Sequence, residues 1–194
     1  MKAAKFPVIK RLEEFDYSFQ PSLSQSRMAS LRDCRWLEDA TNLVFAGPAG
    51  VGKSHCAIGL GVEAIERGYK VYFTTVADLL DTMSLASAAG QLLKLQQKLL
   101  RFDGLILDEL GYVKISRAQG NFLFRLISKA YEHTSIIITT NKDFSAWAEI
   151  FEDQVQVSAM LDRLLHHCVI FSISGESYRI KGPHREVGNS DDHS

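Results

Sequence analysis

Eight consecutive residues, Gly47-Pro-Ala-Gly-Val-Gly52-Lys53-Ser54, carry the spacing G-x-x-x-x-G-K-[ST], the signature of a loop that wraps phosphate groups. Its glycines admit positive φ and let backbone N–H groups approach phosphate oxygens closely. A helix beginning at the end of such a loop adds the positive end of its dipole. Gly47, Pro48, Ala49, Gly50, Val51, Gly52, Lys53 and Ser54, with His55 behind them, are the candidate nucleotide cradle. In this chemistry Lys53 reaches the β- and γ-phosphates, and the Ser54 hydroxyl is a ligand for Mg²⁺.

A second motif supplies acids. Gly104-Leu-Ile-Leu-Asp108-Glu109 reads as a buried strand ending in two carboxylates, at the sheet edge where ligands bind. Asp108 is expected to hold Mg²⁺ as a Walker B aspartate does. Glu109, one residue on, is placed to orient and deprotonate an attacking water. Asp108-Glu-Leu-Gly111 also fits the D-x-x-G of GTPases, and Asn141-Lys142-Asp143 resembles their guanine reader, but Phe144 stands where that reader needs its aspartate. The expected nucleotide is therefore ATP. Asn141 follows an apolar strand, Thr134-Ser-Ile-Ile-Ile-Thr-Thr140, and is expected between the two motif strands, within reach of the γ-phosphate or the lytic water. Arg163 points away from the apolar face formed by Val157, Met160, Leu161, Leu164 and Cys168. It is expected to be exposed or engaged with a partner, and one such engagement is an arginine finger reaching a neighbouring subunit's γ-phosphate. His166 and His167 lack a third ligand nearby and are not read as a metal site.

These residues need a scaffold. Short apolar runs at 42–47, 70–75, 104–108, 134–140 and 168–173 alternate with helical patterns at 55–67, 76–87, 91–101, 116–131 and 157–167. Strands that are apolar throughout and separated by helices imply a parallel α/β sheet covered on both faces. Residues 27–39 read as a further helix, and Phe15-Asp-Tyr-Ser-Phe19 as an aromatic cluster that docks on the core. The expected organisation is an N-terminal linker and helix over 1–41, the nucleotide domain over 42–181 and a disordered tail over 182–194.

Composition sets bounds. The 194 residues are 46% hydrophobic and 23% charged with a net charge of −1, ordinary values for one folded domain. No apolar run approaches the ~18–20 residues of a membrane span, and residues 1–7 lack a signal-like apolar stretch. Three widely spaced cysteines, Cys34, Cys56 and Cys168, argue against a disulfide framework and for a reducing cytoplasm. Charge is uneven: residues 91–130 carry seven basic and three acidic side chains, net +4, leaving −5 elsewhere. Lys94, Lys98 and Arg101 form one stripe at helical spacing, and Lys114 and Arg117 follow the Walker B strand. Together they are the candidate DNA-phosphate track.

Several strings are more specific than the nucleotide motifs: Leu107-Asp-Glu-Leu-Gly-Tyr112, Thr139-Thr-Asn141, Leu161-Asp-Arg-Leu-Leu-His-His167 and Gly175-Glu-Ser-Tyr-Arg179. With the phosphate loop, they resemble the IstB-type transposition helper ATPases, AAA+ proteins akin to the DnaC helicase loaders, over about Lys5 to Lys181. The resemblance implies a P-loop NTPase core with a five-stranded parallel sheet, and the about twenty residues after the fifth strand leave no room for the C-terminal helical lid that full AAA+ proteins carry. It also implies Asn141 at sensor 1, Arg163 at the arginine-finger position and Arg179 as a further phosphate sensor. It implies ATP and Mg²⁺ as ligands, ATP-dependent self-association, duplex DNA and a transposase as partners, and no membrane. Family members usually carry a helical domain before the Lys5-Phe-Pro7 linker, so a fragment or a shortened paralogue is expected. Two other readings stay open: a helicase loader acting with single-stranded DNA, and a catalytically idle nucleotide- or DNA-binding module.

Overall fold

The computed structural model describes residues 4–181; the tail expected to be disordered lies outside them. Five strands form one parallel sheet: β1 (Asn42–Ala46), β2 (Val71–Thr75), β3 (Gly104–Leu110), β4 (Ser135–Thr140) and β5 (Cys168–Ser172). Their order is β2-β3-β4-β1-β5, with every pairing parallel. This order seats β4 between β1 and β3. The strand leading into the phosphate loop and the strand carrying Asp108 are thereby separated by one strand, and all three carboxyl ends meet at one edge.

Side-chain alternation along the strands feeds two cores. Val44, Leu105, Leu107, Ile136 and Ile138 face one side, where Leu126 and Met160 pack. These belong to α6 (Arg117–Ala130) and α7 (Gln154–His166). Leu43, Phe45, Ile106 and Ile137 face the other, against Cys56, Ala57 and Leu60 of α3 (Lys53–Glu66). Residues β-branched and buried on both faces, as Ile136–Ile138 are at 1% exposure or less, hold a central strand in register without a polar side.

The N-terminal residues pack on the second core, as expected. Phe6, Leu12 and Phe15 run along α3, and the first two sit where Cβ atoms on Gly61 and Gly59 would come within 2.8 and 2.7 Å of them. The helix expected over 27–39 is two short helices, α1 (Gln25–Ser30) and α2 (Arg35–Glu38). The break is local: Asp33 Oδ1 accepts the Arg35 N–H at 3.1 Å, and Cys34 takes φ +63°. A short acidic side chain that bonds nearby backbone competes with the helical ladder in this way.

Two boundaries differ for the same kind of reason. The helix expected from residue 157 begins at Gln154, because Asp153 Oδ1 accepts from the N–H groups of Val155 and Gln156 and caps α7. The β3 strand runs two residues beyond Asp108, through a bulge between Leu107 and Leu110. The remaining helices are α4 (Val76–Ala88), α5 (Leu92–Leu99) and, after β5, the four-residue α8 (Tyr178–Lys181). Among the described residues no helix is long and apolar enough to cross a membrane.

Candidate functional site

The phosphate loop is held by the end of β4 and by the segment that follows β5. The Gly47 N–H donates to the Thr140 carbonyl at 3.1 Å, and the Tyr178 N–H donates to the Gly50 carbonyl at 3.0 Å. Gly50 has φ +82°, and a Cβ there would fall 2.0 Å from Ser177 Oγ. Gly52 has φ +95°, and a Cβ there would meet the Phe15 ring at 2.5 Å. Only glycine meets both demands at these positions. From Gly52 the chain enters α3, so the helix begins at Lys53, two residues earlier than its apolar pattern suggests.

Lys53 is 8% exposed, and its Nζ donates to the carbonyls of Gly47 at 2.8 Å and Pro48 at 2.5 Å. Burial lowers its pKa below the ordinary lysine value, with Asp108 pulling the other way. Beside it, Ser54 Oγ donates to Asp108 Oδ1 at 2.8 Å. Thr139 Oγ1 donates to the same carboxylate oxygen, and the Glu109 N–H donates to Thr139 Oγ1 at 2.9 Å. A hydroxyl and a carboxylate in contact are hard oxygen donors of the kind Mg²⁺ takes, so Ser54 and Asp108 fit that ion.

The bulge in β3 sets these directions. Leu107 pairs with Ile138 and Leu110 with Thr140, so Asp108 and Glu109 together oppose the single residue Thr139. Glu109 adopts φ +64°, a left-handed conformation that costs a non-glycine residue about 1–3 kcal/mol. A bulge re-aims side chains in this manner. Asp108 stays buried against Ser54, while Glu109 is exposed at the sheet edge.

Around this constellation lies a cleft of about 820 Å³, within the range of ligand sites. The loop residues Ala49 to His55 line it, together with Asp108, Glu109, Thr139 and Arg179. His55 Nε2 lies 2.7 Å from the Arg11 carbonyl, and its ring meets Phe15 edge-on at 5.4 Å. Phe15 lines the cleft; Phe19 instead packs on Tyr178 at 5.1 Å. Arg179 lies near enough for its charge to press the Lys53 pKa down further.

Other expected residues fall elsewhere. Asn141 is exposed, one residue past the end of β4, with its Oδ1 2.5 Å from where a Cβ on Gly111 would sit; it does not line the cleft. The strand ends because Thr140 Oγ1 accepts the Lys142 N–H at 3.1 Å, so strand alternation no longer directs Asn141. Thr139 occupies the inward position, and the sequence reading passed it over. Period-two counting along Ile137 and Thr139 was the signal that could have found it. Arg163 is half-buried rather than free: its Nη1 donates to the Ala159 carbonyl at 2.8 Å, and its guanidinium lies 5.0 Å from the Phe124 ring centroid. It is outside the cleft of its own chain.

The basic track divides in two. Lys94 and Lys98 are exposed on α5 and Arg101 just beyond it. Lys114 and Arg117 serve the fold: Lys114 Nζ donates to the Glu149 carbonyl at 2.6 Å, and Arg117 pairs with Asp153 at 3.2 Å.

Known proteins resemble this chain in sequence and in fold. Residues 1–186 match the family model described as IstB-like ATP binding protein. A Geobacillus stearothermophilus protein named for insertion sequence IS5376 and for ATP binding is 43% identical over 181 residues, covering 93% of this chain and 72% of that one. A Pseudomonas aeruginosa protein named likewise for IS21 is 42% identical over 181 residues, covering 93% and 68%. Among solved structures, DnaI superposes with a TM-score of 0.69 at 17% identity, covering 84% of this chain and 90% of that one. AMPPCP-bound DnaA from Aquifex aeolicus superposes at 0.68 and 21% identity, covering 91% of this chain and 53% of that one. This chain thus spans about half the DnaA chain, and the likeness at these identities is one of fold, the P-loop AAA+ core. The family match over residues 1–186 and the relatives above 40% identity place the chain in the IstB-like ATP-binding protein family.

Proposed function

We propose that this chain binds and hydrolyses ATP with Mg²⁺, assembles on duplex DNA, and assists a transposase in moving an insertion sequence. The observation that carries the reading is the Lys53, Ser54, Asp108 and Glu109 constellation at one sheet edge. Its insertion-sequence context comes from relatives above 40% identity.

On binding, Lys53 exchanges the Gly47 and Pro48 carbonyls for phosphate oxygens, and the N–H groups of the loop turn toward the same oxygens. Ser54 and Asp108 would hold Mg²⁺, which would offset negative charge on the phosphates. Glu109 orients a water in line with the γ-phosphorus and accepts its proton as the water oxygen bonds to phosphorus and the bond to the bridging oxygen breaks, releasing ADP. Arg179 neutralises charge from the α8 side. Arg163, outside its own cleft, acts on a neighbour's γ-phosphate once subunits assemble, and leaves the Phe124 ring to do so. Asn141 acts as sensor 1 only if assembly or nucleotide turns it inward. Lys94, Lys98 and Arg101 contact DNA phosphates; Lys114 and Arg117 join that track only at the expense of their contacts within the fold.

The test is phosphate release without DNA, with duplex and with single strands, alongside sedimentation of the protein on each DNA. Stimulation and co-sedimentation with duplex support the transposition reading. Stimulation by single strands alone points to a helicase-loader activity. Assembly on DNA without turnover points to an idle binding module.

A further inference from the structure

We propose that Thr139 is a positioning residue for hydrolysis: its hydroxyl locks the left-handed backbone of Glu109 to the Asp108–Ser54 pair. The inference rests on the ATPase reading above and deepens it.

Thr139 is 1% exposed and makes two bonds through one oxygen. It accepts the Glu109 N–H at 2.9 Å and donates its proton to Asp108 Oδ1. A hydroxyl can do both at once, whereas a carboxylate or an amide nitrogen cannot. The Glu109 N–H belongs to the bulge, where the β3–β4 pairing is shifted between Leu107 and Leu110, and Thr139 is the partner it has instead. Glu109 keeps φ +64° while that bond stands. Asp108 Oδ1 also accepts from Ser54 Oγ at 2.8 Å. The chain of contacts therefore runs from the first residues of α3, through the buried aspartate and the threonine, to the backbone that aims the exposed glutamate. When Ser54 turns from Asp108 to a bound ion, Thr139 keeps the aspartate oriented and holds Glu109 at a fixed distance from it. Thr139 touches neither water nor phosphate in this account; it acts through Glu109.

The test compares Thr139→Val, which keeps the shape and loses both bonds, with Thr139→Ser, which keeps the hydroxyl. Thr139→Val should bind a fluorescent ATP analogue within about threefold of the parent, and turn over ATP about ten- to a hundredfold more slowly at saturating ATP and Mg²⁺, the penalty of a misplaced reacting group. Thr139→Ser should recover turnover to within about threefold. Residue-resolved amide exchange supplies a readout apart from activity: the Glu109 amide should exchange at least about tenfold faster in Thr139→Val and stay protected in Thr139→Ser. Should the valine variant fail to fold, Thr139→Ala carries the same comparison. Turnover of the valine variant within about twofold of the parent overturns the inference. So does rescue by excess Mg²⁺, equal damage in the serine variant, or unchanged Glu109 exchange. If the parent chain itself releases no phosphate, the ATPase reading fails, and the exchange comparison alone decides whether Thr139 holds Glu109.

Discussion

Lys53 and Glu109 each neighbour one member of the Ser54–Asp108 pair, yet they answer to different physics. Glu109 is exposed and contributes nothing to the packing of the core, so Glu109→Gln should fold and bind nucleotide like the parent. Its turnover should fall by about a hundredfold or more, the usual contribution of a general base, as read by single-turnover phosphate release. Lys53 has a lowered pKa, chiefly from burial. Nucleotide affinity needs its charge and should weaken as pH rises through that lowered value, earlier than an ordinary lysine at about 10.4 would allow. Stability of the free protein carries the opposite sign. The unfolded chain holds this proton more tightly than the folded one, so between the two pKa values folding gains as pH rises. Parallel titrations of nucleotide affinity and thermal midpoint check both slopes, and Lys53→Met should flatten them. Lys53, Ser54, Asp108 and Glu109 were legible because a motif fixes both type and spacing. The inward place of Thr139 was within reach of period-two counting, but its bond to Glu109 was not, because a bulge opposing two residues to one depends on how two strands meet.

At the scale of elements, caps decide where helices start, and apolar periodicity does not see them. Asp153 accepts the backbone N–H groups at the start of α7 and pairs with Arg117. The Gln156 N–H leads in holding its carboxyl below the ordinary aspartate value, with Arg117 helping. Its stabilisation is fully present above the unfolded aspartate pKa of about 3.9 and is lost as pH falls through the lower folded value. Asparagine caps about as well as aspartate but does not titrate. Asp153→Asn should therefore melt slightly below the parent near neutrality, where it lacks the charge and the Arg117 ion pair, and lose less on acidification, so that the gap closes, as followed by circular dichroism. The strands and long helices were readable from their apolar periods. The split of residues 25–38 into α1 and α2 turned on one Asp33 side chain, and the displacement of Asn141 on one Thr140 turn. Both are local bonds that periodicity averages away.

The whole molecule presents a cleft whose proposed arginine lies outside it. Arg163 is stacked on Phe124 of its own chain, so a role at phosphate requires a second subunit. Arg163→Ala and Lys53→Ala should each be inactive alone. Mixed, they should regain turnover, because the lysine variant lends its arginine to an intact nucleotide site; a mixture as inactive as its parts removes the trans role. Strand-helix alternation made the parallel sheet legible, while the order β2-β3-β4-β1-β5 and the seating of the N-terminal residues along α3 emerge only from packing. The measurement that bears most directly on the central claim is ATP turnover by the parent chain and by Lys53→Ala, with and without duplex DNA. The account predicts phosphate release by the parent, raised by duplex and absent in the variant. Equal release by both proteins, or none by the parent on duplex despite bound ATP, would contradict it.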